Sequence, residues 1–185
     1  MTWVFLYYLF GLQNPGRANF KLTVLTQDKA TDYYVMKRPF LQTFLGTMSE
    51  VYEIGVFTAS LKEYADKIIQ EIDPAKHIQW ALYRDSCSFH EGFTVKNLEC
   101  LPRPLERTIL VDDRETSFML QPLNGIEVLP FDGDPDDTEL LSLQKFLLVV
   151  SRVEGDLRAV TDTWLNSYFA LYWRENEHTE SFMTE

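Results

Sequence analysis

The stretch from Val51 to Ile72 constrains the fold more than any other part of the chain. A mostly apolar run, Val51 to Thr58, gives way at Ser60 to residues whose apolar positions recur at helical spacing. Such a run reads as a strand covered on both faces of a parallel sheet. Ser60-Leu-Lys-Glu63 has the form of a capping box, and Tyr64, Ala65, Ile68, Ile69 and Ile72 would be the apolar face of the helix it starts. The alternation recurs along the chain. Trp3 to Leu9 is continuously apolar and predicts a buried strand, broken by Asn14-Pro-Gly16. Phe20, Leu22 and Val24 alternate with polar residues, and Tyr33 to Met36 is expected to pair with them around a turn at Asp28-Lys29. Pro39 suits the first position of a helix carrying Phe40, Phe44, Leu45 and Met48. Trp80 to Tyr83 and Phe89 to Val95 read as short strands or a small β insert. Arg107 to Val111 reads as a core strand ending in Asp112-Asp113, and Ile126 to Leu129 as another. Leu140, Leu143, Phe146, Leu147 and Val150 lie on one face of a last helix. Strands alternating with helices predict an α/β fold with a doubly wound, mostly parallel sheet and a small β insert. The expected organisation is one domain over residues 1–155 and a helical tail over 156–185 that includes the apolar stretch Trp164 to Trp173.

Charge and cysteine usage narrow the function. The formal net charge of −11 over 185 residues repels phosphate at long range, which argues against direct nucleic-acid binding and against an anionic membrane surface. Any phosphate site must then be a local basic pocket. Two cysteines, Cys87 and Cys100, are too few for a disulfide framework in a chain of this length and suit a reducing compartment, the nucleus or cytoplasm. The apolar run Trp3 to Leu12 is too short to span a bilayer and has no basic residue ahead of it, so neither a transmembrane segment nor a signal peptide is expected.

Three places carry residues suited to phosphate chemistry. Thr58, Ala59 and Ser60 follow a buried strand and precede a helix, where free backbone N–H groups and partial positive charge can hold a phosphoryl oxygen; equally, Ser60 can serve only as a cap. Asp112 and Asp113 lie beyond the carboxyl end of a strand, where open α/β sheets bind ligands and where paired carboxylates suit Mg²⁺; equally, they can form a solvated turn. Arg84, His90 and Lys96 could form a cationic cluster, although each taken singly suits the surface as well.

The ordered set resembles one family. Tyr-Tyr-Val-Met-Lys-Arg-Pro39, Phe-Thr-Ala-Ser-Leu-Lys-Glu-Tyr-Ala-Asp66, Tyr-Arg-Asp-Ser-Cys-Ser-Phe-His90, Val-Lys-Asn-Leu98, Ile-Leu-Val-Asp-Asp113 and Asp-Asp-Thr-Glu-Leu140 are similar, in order, to the FCP/SCP protein serine/threonine phosphatases of the haloacid dehalogenase superfamily. The resemblance runs from about residue 18 to 160. It looks closest to the small CTD-phosphatase branch and its Dullard-like relatives, and weaker to the mitochondrial import-receptor branch. It implies a haloacid dehalogenase-like fold and a phosphorylated protein segment as partner, such as the RNA polymerase II C-terminal tail. It also implies a phosphoaspartate mechanism with Mg²⁺, and a monomer is expected. By the same resemblance Thr58 is the phosphate-binding hydroxyl, Lys96 the cation that stabilises the phosphoaspartate, and Asp112 and Asp113 the metal side, with Ala59, Ser60 and Arg84 on the phosphate or substrate. Asp113 stands where many relatives have asparagine.

The family's nucleophile and acid/base are two aspartates spaced i, i+2 on the first strand, a spacing that puts both on one face. Here that strand reads Phe5-Leu-Tyr-Tyr-Leu-Phe-Gly-Leu12, with Tyr7 and Leu9 at the aligned positions, and no Asp or Glu occurs before Asp28. The chain as given is therefore expected to be inactive and to bind Mg²⁺ weakly or not at all. Three readings stay open: a pseudophosphatase that binds phosphorylated segments, an active enzyme whose first exon is replaced in this sequence, or a scaffold. Asp134-Pro-Asp-Asp-Thr138 matches the Asp-x-Asp-x-Thr pattern, but Gly133 and Pro135 interrupt any strand there and the segment already matches the family's acidic loop.

Overall fold

The computed structural model describes residues 2–6, 10–12, 16–26 and 29–161. Its backbone is a five-stranded parallel sheet with strand order β10-β9-β1-β5-β6, where β1 is Thr2–Leu6, β5 Tyr52–Phe57, β6 Ile78–Leu82, β9 Thr108–Asp112 and β10 Gly125–Glu127. β1 is central, with Leu6 opposite Val56 on one side and Val111 on the other. A second sheet, antiparallel, joins β2 (Phe10–Leu12), β4 (Lys29–Lys37) and β3 (Phe20–Thr26). The small insert is the ribbon of β7 (Ser88–His90) and β8 (Phe93–Val95). Glu91 and Gly92 turn it with positive φ values of 49° and 88°.

Burial follows the two faces of the parallel sheet. Every residue of β5 and β9 is buried. Along β9 successive side chains alternate between faces, so Ile109 and Val111 join one apolar cluster and Leu110 the other. The larger cluster packs Leu41, Phe44, Leu45 and Met48 of helix α1 (Leu41–Ser49) and Leu140, Leu143, Leu147 and Val150 of helix α3 (Glu139–Val150) over the sheet. The smaller one gathers Phe57, Leu98, Leu110 and Phe118 on the opposite face. Burying a side chain of this kind contributes roughly 1.5–3 kcal/mol, so the two clusters hold both faces closed.

Local details differ from expectation for identifiable reasons. Pro39 does not open a helix: Phe40 takes a left-handed backbone (φ 64°), and α1 starts at Leu41. The capping box at Ser60 is not formed. The Ser60 N–H donates to Thr58 Oγ1 at 3.0 Å and its C=O accepts the Arg84 N–H at 3.0 Å, so Ser60 belongs to the turn, and helix α2 (Lys62–Ile72) begins after it. The apolar face expected of α2 is present in Ala65, Ile68 and Ile72. Trp80 to Tyr83 is not part of the insert; Trp80 to Leu82 belongs to the edge strand β6 of the main sheet, and its exposed Trp80 masks the pattern of a buried strand.

The segment set apart from residue 156 begins against the body. The Leu157 side chain is buried in the larger cluster, its N–H donates to the Glu106 C=O at 2.9 Å, and Thr161 Oγ1 donates to the Leu123 C=O at 2.5 Å. The apolar stretch Trp164 to Trp173 lies outside the described residues, and so do Tyr7 and Leu9. No helix among the described residues is long and apolar enough to cross a membrane.

Candidate phosphate site at the carboxyl ends of β5 and β9

β5 and β9 flank β1 and run parallel to it, so the turns that leave their carboxyl ends lie at one end of the sheet. After β5 comes Thr58, which is buried and whose N–H donates to the Leu82 C=O at 2.9 Å. Because Thr58 Oγ1 accepts from Ser60, the hydroxyl proton remains for an external acceptor. Arg84 reaches the same turn: its Nε donates to the Ala59 C=O at 2.6 Å, and the side chain is otherwise exposed. That contact fastens the guanidinium to the turn through Nε.

β9 ends in Asp112, which has no exposure, and Lys96, 3% exposed, forms an ion pair with Asp112 Oδ2. Asp112 Oδ1 accepts from the Ser117 hydroxyl at 2.9 Å and from the Arg114 N–H at 3.1 Å. Burial pushes the Lys96 ammonium down from its ordinary range, and the adjacent Asp112 charge acts the other way. The ribbon β7–β8 connects the two halves. Cys87, before β7, sets its Sγ 3.7 Å from the Thr58 C=O, and Lys96 follows β8. Burial pushes the Cys87 thiol up, so it is no candidate nucleophile. His90 lies in the ribbon, exposed, with Glu91 3.9 Å from its Nε2.

Asp113 differs from its neighbour. Its Oδ1 is buried and has no hydrogen-bond partner, and the carboxyl is pushed up to about 6, first by burial and then by the charge of Asp112. Glu127, at the end of β10 and opposite Asp112 in the ladder, is also raised, first by burial and then by Glu115 and Asp113. No group of three or more His, Cys, Asp or Glu among the described residues is placed to hold a metal. Mg²⁺ typically takes only one or two protein carboxylates and completes its octahedron with water and phosphate oxygens. Asp113 Oδ1 is the open oxygen for such an ion, and Asp112, whose oxygens accept from Lys96, Ser117 and Arg114, stands beside it as the second carboxylate.

The structure thus brings Arg84 onto the Thr58–Ala59–Ser60 turn after β5 and sets Lys96, Asp112 and Asp113 at the end of β9, on the other side of β1. His90 is held away in the insert. Asp134 and Asp136 are exposed in a loop where the Asp134 N–H donates to Asp132 and the Asp136 N–H to Asp134. Sequence reasoning missed Ser117, Arg114, Glu115 and Glu127. Ser117 had one signal, a small hydroxyl residue in the turn right after the acidic pair.

The NLI interacting factor-like phosphatase family model matches residues 8–158, beginning ahead of the point where the sequence read alone starts to resemble the family. A probable C-terminal domain small phosphatase of Dictyostelium discoideum is 42% identical over 134 residues, covering 72% of this chain and 44% of that protein. The mouse mitochondrial import inner membrane translocase subunit TIM50 is 37% identical over 135 residues, covering 72% of this chain and 38% of that protein. At 37% identity the import-receptor relative stands close to the 42% of the small phosphatase, so the likeness extends to both branches. Among solved structures, Fcp1, an essential RNA polymerase II CTD phosphatase, superposes with a TM-score of 0.61 at 18% identity, covering 98% of this chain and 66% of that one. The chain spans less than half the length of the two relatives and about two thirds of the Fcp1 chain. With the haloacid dehalogenase-like α/β fold in place and the family match running through every block of the site, the chain belongs to the NLI interacting factor-like phosphatases.

Proposed function

We propose that this domain engages a phosphoserine or phosphothreonine in a protein segment, such as the C-terminal tail of RNA polymerase II, and that the chain as given binds this group without hydrolysing it. The observation that carries the reading is the buried Lys96–Asp112 pair beside the Thr58 turn, with Arg84 fastened to that turn's carbonyl. A negatively charged protein needs such a local cation to accept a phosphate at all. Thr58 donates its hydroxyl proton to a phosphoryl oxygen, Arg84 grips further oxygens at the mouth, and Lys96 supplies charge at the floor. Asp113 and Asp112 would hold Mg²⁺, which when bound neutralises phosphoryl charge. Turnover needs a nucleophile, and Tyr7 and Leu9 supply no carboxylate to form a phosphoaspartate. The same reading places the protein in the nucleus or cytoplasm as a monomer.

Titration calorimetry with a phosphoserine peptide and its unphosphorylated twin tests the binding. The phosphorylated form should bind tighter, salt should weaken it, and Lys96→Ala should remove most of the difference. Equal affinity for the two peptides overturns the proposal in favour of a bare scaffold. A generic phosphate ester should turn over no faster than with Lys96→Ala; Mg²⁺-dependent hydrolysis that the variant abolishes overturns the inactive half of the reading.

A further inference from the structure

Ser117 touches both members of the buried ion pair. Its C=O accepts the Lys96 N–H at 2.8 Å, and its hydroxyl donates to Asp112 Oδ1 at 2.9 Å. The residue is 6% exposed and is itself pinned, its N–H donating to the Arg114 C=O at 2.9 Å. Phe118, next in the chain, packs with Phe57, Leu98 and Leu110 beneath it, so the turn has little freedom to shift. A carboxylate's terminal torsion is broad and chooses its plane by its partners. Two donors on Oδ1, Ser117 Oγ and the Arg114 N–H, set that plane and leave Oδ2 toward Lys96.

We propose that Ser117 is a positioning residue for Lys96, acting through Asp112: its hydroxyl fixes the carboxylate plane and its carbonyl fixes the start of the Lys96 backbone, so that the ammonium stands at the floor of the phosphate pocket. The proposal rests on the phosphate-binding reading for its consequence, and on geometry alone for the placement itself. Loss of the hydroxyl leaves Asp112 Oδ1 with one donor in a buried site, and the carboxylate rotates and takes the ammonium with it.

The experiment uses the full chain with ¹³C-labelled lysine and inorganic phosphate as the probe. The Lys96 ¹³Cε resonance is identified by its loss in Lys96→Ala. In Ser117→Ala this resonance should move and phosphate affinity should fall about tenfold, the range for a hydrogen bond to a charged group. Ser117→Thr, which keeps the hydroxyl, should restore both. In a Lys96→Ala background the Ser117→Ala change should leave phosphate affinity unaltered, because its effect passes through the lysine. A Ser117→Ala protein with a lower melting temperature but an unmoved Lys96 resonance and unchanged phosphate affinity overturns the proposal and leaves Ser117 a packing residue. Failure of the wild-type chain to bind phosphate defeats the proposed function instead, and the resonance then decides Ser117 by itself.

Discussion

Arg38 and Asp137, 99 positions apart, form a two-pronged ion pair in which the guanidinium side chain is wholly buried. Arg38 Nε donates to Oδ1 at 3.0 Å and Nη2 to Oδ2 at 2.7 Å, while Nη1 donates to the Leu129 C=O at 2.8 Å. The pair ties the end of β4 to the loop before α3. It joins two segments far apart in the chain, Lys-Arg-Pro39 supplying the guanidinium and Asp-Asp-Thr-Glu-Leu140 its carboxylate. Asp137 is thereby committed to architecture, and its Oδ1 also accepts the Glu139 N–H at the start of α3.

Breaking this pair should cost stability and leave site chemistry alone. Arg38→Ala strands Asp137 and the Leu129 carbonyl, a loss of about 3–5 kcal/mol for a buried pair with one partner removed. Urea unfolding should show the lower midpoint, while any remaining folded protein keeps its preference for a phosphorylated peptide. Selective loss of that preference at unchanged stability would place Arg38 in ligand binding instead.

Asp113 predicts a pH dependence of metal-free stability. Its carboxyl is raised from 3.8 to about 6 in the folded protein, so the folded state holds a proton that the unfolded chain releases at lower pH. The Asp113 contribution to stability is then most favourable below about pH 4 and is lost as pH rises through about 6. Asp113→Asn removes the ionisable oxygen. In EDTA at about pH 7.5 the variant should be more stable than wild type by on the order of 1 kcal/mol, discounted for partial solvent screening, and at about pH 4 the two should agree. Added Mg²⁺ should reverse the order by stabilising wild type more. A gap between the two proteins that is the same at both pH values contradicts the prediction.

Much of this was legible in the chain because periodicity reports burial. The alternation of Phe20, Leu22 and Val24 found its partner in β4, and the Leu140–Val150 spacing found α3, since each pattern is written by one buried face. β6 was harder, because an edge strand with exposed Gln79 and Trp80 buries too little to show a clear period. Thr58, Lys96 and Asp112 were each ambiguous alone and gained meaning only as an ordered set. Ser117 was invisible for a physical reason: its role is a pair of tertiary hydrogen bonds to Lys96 and Asp112, which no local propensity encodes. The Ser60 capping box failed similarly, since a contact from Arg84 across the fold outcompeted a local cap.

The placement of β1 leads to a gain-of-function test. Trp3 through Leu6 run in unbroken parallel register between β5 and β9, and Leu6 pairs with Val56 and Val111, just short of Thr58, which follows β5, and of Asp112, which ends β9. Should the strand keep that register past Leu6, residues 7 and 9 share a face, the spacing a nucleophile and its acid/base need. Tyr7→Asp combined with Leu9→Asp is then expected to yield weak Mg²⁺-dependent hydrolysis of a phosphate ester, abolished by adding Lys96→Ala. Either single change should give much less, because the two groups act as a unit. Carboxylates beside a buried strand carry a desolvation cost unless Mg²⁺ or hydrogen bonds compensate, and a displacement near 1 Å lowers such rates about a hundredfold, so the recovered rate should be small. Circular dichroism and Mg²⁺ titration separate the outcomes. A folded double variant that binds Mg²⁺ but hydrolyses nothing means that the register of the first strand does not carry on beyond Leu6, and that Tyr7 and Leu9 are not the positions where the aspartates belong.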